Sequence, residues 1–153
     1  MIKIFHGFRG LARIAANLCI VPSIRNILFR LSGFIIEKDA FINMGVIAVD
    51  NYEKGRVCLK QRASIAPNVT FVCSVHPNNS LLKNYKCFLS EGNIVIEEDA
   101  WLGTGVVVLP GVVVGRSSII GANSVVKYNV DSYGIYAGIP AKKIGDVRGK
   151  DIV

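Results

Sequence analysis

Every sixth residue from Ile96 is aliphatic: Ile96, Leu102, Val108, Val114, Ile120 and Val126. Four positions after each stand Ala100, Val106, Val112, Ser118, Ser124 and Val130, all small or β-branched. Ile, Val and Leu make up 48 of the 153 residues. Six aliphatic hits in succession would therefore arise by chance on the order of once in a thousand trials. A helix would scatter these side chains around its axis, and one flat strand would leave the small residues without a reason. A coil whose flat sides are six residues long accounts for both columns. The aliphatic residue points inward and stacks on its counterpart in the next coil, and a small residue fits near each corner. Gly103, Gly115 and Gly121 follow the aliphatic position, where the backbone bends or approaches a neighbour closely.

The same frame runs earlier with lapses, through Ile36, Ile42 and Ala48 and then Leu59, Ile65 and Phe71, with small partners Ala40, Val46, Ala63, Val69 and Val75. The two blocks fall out of register around Asp50 to Gly55, which reads as a turn between coils. The frame breaks again between Pro77 and Asn93. A loop of that length inside a compact domain is uncommon unless it carries function. Before Gly33, the residues Ile24, Ile27, Leu28 and Leu31 have helical spacing. The expected organisation is one domain: a helical cap over residues 1–33, a coil over 34–130 with a loop at 77–93, and an irregular tail over 131–153.

Composition narrows the class. Hydrophobic residues are 51%, charged residues 19%, and the mean hydropathy is +0.42, which excludes disorder and favours an oligomer. No apolar stretch reaches the roughly 20 residues of a spanning helix. Arg9, Arg13 and Arg25 interrupt any secretory block. Cys19, Cys58, Cys73 and Cys87 contain no Cys-x-x-Cys pair and read as idle thiols of a cytoplasmic protein, neither a disulfide framework nor a zinc cage. The net charge is +7, and residues 1–36 hold Lys3, Arg9, Arg13, Arg25 and Arg30 with no acid. That segment suits peripheral contact with an anionic membrane face or a phosphate-rich ligand, or is ordinary solubilising charge. No aromatic and basic interleaving accompanies it, so nucleic acid is not expected. Near the C-terminus Lys127, Lys142, Lys143, Arg148 and Lys150 would suit an anionic cofactor.

Three strings add chemistry to the period: Ile65-Ala66-Pro67-Asn68-Val69-Thr70 followed by Val75-His76-Pro77, then Asp99-Ala100-Trp101-Leu102-Gly103, then Ala137-Gly138-Ile139-Pro140-Ala141-Lys142. With the repeat, they resemble the hexapeptide-repeat acyltransferases, and among them the sugar O-acetyltransferases of the maltose and nodulation-factor type, over about residues 36–144. The resemblance implies an all-β, left-handed parallel β-helix of triangular section. It also implies a homotrimer with active sites at the clefts between subunits, and acetyl-CoA as cosubstrate with no metal. The implied activity is O-acetylation of a sugar or surface-polysaccharide precursor.

Acyl transfer from a thioester to a hydroxyl needs a base for the hydroxyl proton and donors for the tetrahedral oxyanion. His76 is the candidate base: an imidazole with an ordinary pKa of about 6.5 is mostly neutral near pH 7 and still basic. The other histidine, His6, lies outside the repeats. Cys73, three residues from His76, raises the alternative of a cysteine nucleophile, which the resemblance does not support. The resemblance places a backbone N–H near Gly103 or Thr104 as the oxyanion donor. It places Asn43 and Trp101 at the acceptor; the alternatives are a corner asparagine bonding its own backbone and a plain packing anchor. Glu91, by its place in the loop, is read as orienting His76 or binding a sugar hydroxyl. For the cofactor it implies Gly103, Thr104, Gly121, Ala122, Lys127, Gly138, Pro140, Lys142 and Lys143. Three other readings stay open on sequence. One is N-acetylation of a nucleotide-linked amino sugar or inactivation of an antibiotic. A second is a non-catalytic scaffold on the same coil. The third is a zinc enzyme of the carbonic-anhydrase-like branch, which would need three histidines where the coils hold His76 alone.

Overall fold

In the computed structural model the described residues are 2–77, 79–85 and 90–149; Cys87 lies outside them. Two helices, α1 (Ile2–Leu18) and α2 (Pro22–Leu31), precede the strands. Four coils of three short strands follow. The first contains β1 (Ile35–Ile36), β2 (Phe41–Ile42) and β3 (Ile47–Val49), and the second β4 (Val57–Leu59), β5 (Ser64–Ile65) and β6 (Thr70–Val72). A small hairpin, β7 (Ser74–Val75) and β8 (Ser90–Glu91), then interrupts the coil. The third coil is β9 (Ile94–Ile96), β10 (Trp101–Leu102) and β11 (Val107–Val108), and the fourth β12 (Val113–Val114), β13 (Ile119–Ile120) and β14 (Val125–Val126). Two longer strands, β15 (Gly134–Gly138) and β16 (Ala141–Asp146), end the order.

Successive strands visit three sheets in turn. The first face is β1-β4-β9-β12 and the third is β3-β6-β11-β14, while the second is β2-β5-β10-β13-β15 with β16 at its edge. All pairs along the three faces are parallel except β15 with β16. The register is that of the sequence period. Ile36, Leu59, Ile96 and Val114 stack on the first face; Ile42, Ile65, Leu102 and Ile120 on the second; Ala48, Phe71, Val108 and Val126 on the third. Nearly all are buried, and Ala48, half-buried, packs against the same core. The corner column is buried as well, from Ala40 to Val130, with one exception. Val75, read as a small inward partner, is 40% exposed because the chain has already left the coil for β7. At the corner between the second and third faces, Gly45 and Gly105 alternate with Asn68 and Asn123, all four at positive φ. Each asparagine Oδ1 covers the neighbouring glycine where a Cβ would sit, so the alternation is a packing requirement.

The helices close the open end of the stack through a row of side chains. β1, β2 and β3 are edge strands, and an edge leaves carbonyls without partners. Arg30 Nε donates to Ile36 O (3.0 Å), Asn26 Nδ2 to Ala40 O (2.7 Å) and Arg25 to Ile42 O (2.9 Å). Asn17 both donates to Val46 O (2.9 Å) and accepts from Val46 N (3.0 Å). Arg13 donates to Ala48 O (3.0 Å) and Arg9 to Tyr52 O (2.6 Å). As the coil advances, its partners run backward along the helices. Arg13 also meets the buried Asp50 with two bonds of 2.9 Å and lies over the rings of Phe34 and Tyr52. Arg13 and Arg25 are buried, and Arg9 and Arg30 also bind backbone carbonyls, so these guanidinium groups are engaged with the coil and give no support to the reading of peripheral membrane contact. Among the described residues no helix is long and apolar enough to cross a membrane.

The tail is also corrected. Residues 134–146 form an antiparallel hairpin whose register shifts between Ile135 and Tyr136; Tyr136 continues the second-face column beyond Ile120, and β16 folds back on it.

Candidate functional site

His76 stands where the third face of the second coil gives way to the loop. The loop is pinched at its base by the pairing of Ser74 with Glu91 and Val75 with Ser90, and Gly92 N donates to Cys73 O (3.0 Å). Glu91, read as a loop residue, is therefore in a strand. The ladder sets its carboxylate against the ring: Oε1 is 3.0 Å from His76 Nε2, with both side chains half-exposed. Behind it stands Arg56, largely buried. Its guanidinium lies 3.4 Å from Glu91 Oε2 and donates from Nε to Glu53 Oε2 (2.6 Å). A chain of four groups, Glu53, Arg56, Glu91 and His76, thus runs along this corner. Arg56 was not legible in the sequence, since 34 residues separate it from Glu91. Burial pushes the Cys73 thiol up to about 12, and its Sγ lies 3.5 Å from Arg56 O. Such a thiol is protonated near neutral pH and is no nucleophile.

The positions read as cofactor contacts fall mostly on another corner, between the second and third faces. Gly103 and Gly121 occupy one column on consecutive coils, with Thr104 and Ala122 beside them. A Cβ on Gly103 would stand 2.8 Å from Ala122 N and 2.9 Å from Ile120 O, so only glycine allows the coils to approach this closely. The Gly103 N–H is committed to Ile120 O (2.8 Å), which removes it as an oxyanion donor and leaves that of Thr104. The turn containing Gly138 and Pro140 joins the same corner, since Gly138 N donates to Ser124 Oγ (3.0 Å). Lys142 is exposed on β16, whereas Lys143 pairs with Asp131 (3.3 Å). Lys127 is set apart from this group: it follows β14 at the corner between the third and first faces, with its Nζ over the Tyr128 ring.

The candidate acceptor residues also separate. Asn43 follows Ile42 at the glycine corner, two coils before Gly103, and its Oδ1 accepts the Met44 N–H (2.8 Å). Trp101 points outward from the second face, 52% exposed. Within one chain, then, His76 and Glu91 lie on one corner, Asn43 and the glycines lie on another, and the third face stands between them. That face carries apolar outward side chains, Ile47 and Val49 exposed and Val72, Val107 and Val125 half-buried. Among the described residues no group of three or more His, Cys, Asp or Glu is arranged to hold a metal ion.

Residues 93–127 match the bacterial transferase hexapeptide (six repeats) family. The chain is 32% identical over 121 residues to a galactoside O-acetyltransferase of Escherichia coli, covering 78% of this chain and 57% of that one. It spans about half the length of the curated relatives it matches. Among solved structures, it superposes on a hexapeptide-repeat acetyltransferase of Vibrio cholerae in complex with acetyl coenzyme A with a TM-score of 0.76, at 23% identity, covering 96% of this chain and 89% of that one. It superposes on a galactoside acetyltransferase in complex with coenzyme A with a TM-score of 0.69, at 23% identity and 95% and 82% coverage. The two superpositions bear on the fold. The resemblance drawn from the sequence strings is borne out as a likeness: the chain matches the hexapeptide repeat over residues 93–127 and is similar to proteins named galactoside O-acetyltransferase.

Proposed function

We propose that the chain is an acetyl-CoA-dependent O-acetyltransferase for a hydroxyl of a sugar or surface-polysaccharide precursor, acting in the cytoplasm as a homotrimer of left-handed coils. The observation that carries the reading is the His76–Glu91 pair, held by the β7–β8 ladder at the base of the long interruption in the repeat. The relatives named galactoside O-acetyltransferase support a sugar hydroxyl as acceptor. The structures solved with acetyl coenzyme A and coenzyme A support the donor.

The chemistry follows from hydrogen bonding. Glu91 is an acceptor, so the ring nitrogen facing it carries the proton, and Nδ1 keeps the lone pair. Nδ1 takes the acceptor's hydroxyl proton as that oxygen attacks the thioester carbonyl. The imidazolium so formed lies against the Glu91 carboxylate, which Arg56 holds from behind. The Thr104 N–H meets the oxyanion. Collapse breaks the C–S bond, and the proton passes from the ring to the departing thiolate. Gly103, Gly121 and Ala122 let the pantetheine arm run close to the backbone, and Lys142 meets the phosphates as a point charge. Asn43 and Trp101 form the acceptor side. Since these groups and His76 lie on different corners of one chain, the reading needs the corner of one subunit to face the loop of the next.

His76→Ala tests the base. Turnover, followed as free CoA released with galactosides and related sugars, is expected to fall by about 100–10,000-fold, with acetyl-CoA binding retained. Turnover within a few-fold of the parent would remove His76 from the chemistry.

A further inference from the structure

The helical layer is polar inside and apolar outside. Arg9, Arg13 and Asn17 of α1 and Arg25 and Asn26 of α2 face the coil, bound to its carbonyls. The opposite stripes are Leu11, Ile14 and Leu18 on α1 and Ile24, Ile27 and Leu31 on α2, each 49 to 76% exposed. Both stripes have the spacing i, i+3, i+7, the seam by which one helix packs on another. Phe8, Ile20 and Val21 are exposed as well, and together these nine apolar residues leave on the order of 1,000 Å² of surface in solvent. A typical monomer's largest patch is roughly 300–600 Å², and one partner of a standard interface buries about 800 Å².

We propose that the outer face of α1 and α2 is a contact surface for a second copy of this chain. The area is what a stable contact between copies needs. The charge pattern chooses the occupant. Neither stripe contains an ionisable residue, so the patch can face its own image, where a chain of net charge +7 otherwise repels its copy. A lipid surface is matched by cations flanking an apolar face. Here the guanidinium groups of Arg9, Arg13 and Arg25 are spent on backbone carbonyls on the inner side, and the exposed Arg30 also donates to carbonyls, those of Ile36 and Glu37. This contact does not rest on the acyltransferase reading.

Light scattering coupled to size exclusion, applied to the full chain and to a Leu11→Glu/Ile27→Glu variant, tests it. The parent is expected at a multiple of 16.6 kDa, and the variant at half that mass or less with unchanged circular dichroism. A milder Leu11→Ala/Ile27→Ala variant keeps strong helix formers and should raise the concentration of half-dissociation at least tenfold. A parent of single-chain mass overturns the proposal, as does a mass that neither variant changes. Binding of the parent to phosphatidylglycerol vesicles, lost in both variants with the mass unchanged, overturns it too and assigns the face to lipid. These outcomes are read without acyl transfer, so they leave the His76 test untouched.

Discussion

At the start of the coil, the edge strands β1, β2 and β3 give their carbonyls to side chains; at its end, the first two faces are continued by backbone. Val130 pairs with Val114 on the first face and β15 with β13 on the second. The N-terminal closure depends on six named side chains in order along two helices. The C-terminal closure depends on backbone bonds that any non-proline residue supplies. A substitution at the first end should therefore cost far more than one at the second.

The largest effect is expected at Arg13. Arg13→Met removes both bonds to Asp50 and leaves that carboxylate, 3% exposed, without its cation and with the Tyr52 N–H (3.1 Å) as its remaining donor. A loss of about 3–5 kcal/mol is expected in chemical denaturation. Arg13→Met combined with Asp50→Leu should be more stable than Arg13→Met alone, which would sharpen the assignment to a stranded charge. Asn17→Ala comes next: it deletes both bonds to Val46 and should cost about 1–3 kcal/mol by the same measurement. At the other end, Lys143→Ala removes the surface pairs with Asp131 and Asp146, and less than about 1 kcal/mol is expected to be lost. Equal losses at Asn17 and Lys143 would break the comparison.

The same contrast explains what was legible. The inner columns could be read because a period of six repeats one physical requirement at every coil, and Ile96 to Val126 satisfy it without a lapse. The helical cap was legible from the spacing of Ile24, Ile27 and Leu31. Its polarity was not: a list of arginines carries a charge but no direction, and only the fold turns Arg25 and Arg30 toward carbonyls that lack partners. The hairpin at 134–146 escaped notice because β15 and β16 are longer than the repeat's strands and leave its frame. At the candidate site, His76 was legible as the histidine within the coils, and Glu91 as its neighbour across the loop. Arg56 was not, since it reaches Glu91 only through the pairing of β4 with β9 and of β7 with β8. Asn43 and the glycines were legible as positions, but their separation from His76 by the third face follows from the winding.

Complementation tests that separation, and with it the proposed cleft between copies. His76→Ala chains lack the proposed base, and Ala122→Trp chains have an obstructed glycine corner at an exposed position. Each alone should be inactive. Co-expressed, the two should regain about a quarter of parental turnover, because random assembly pairs an intact loop with an intact corner in that share of clefts. A mixture as inactive as its components, from chains shown to co-assemble, would place the whole reaction within one subunit and contradict the account.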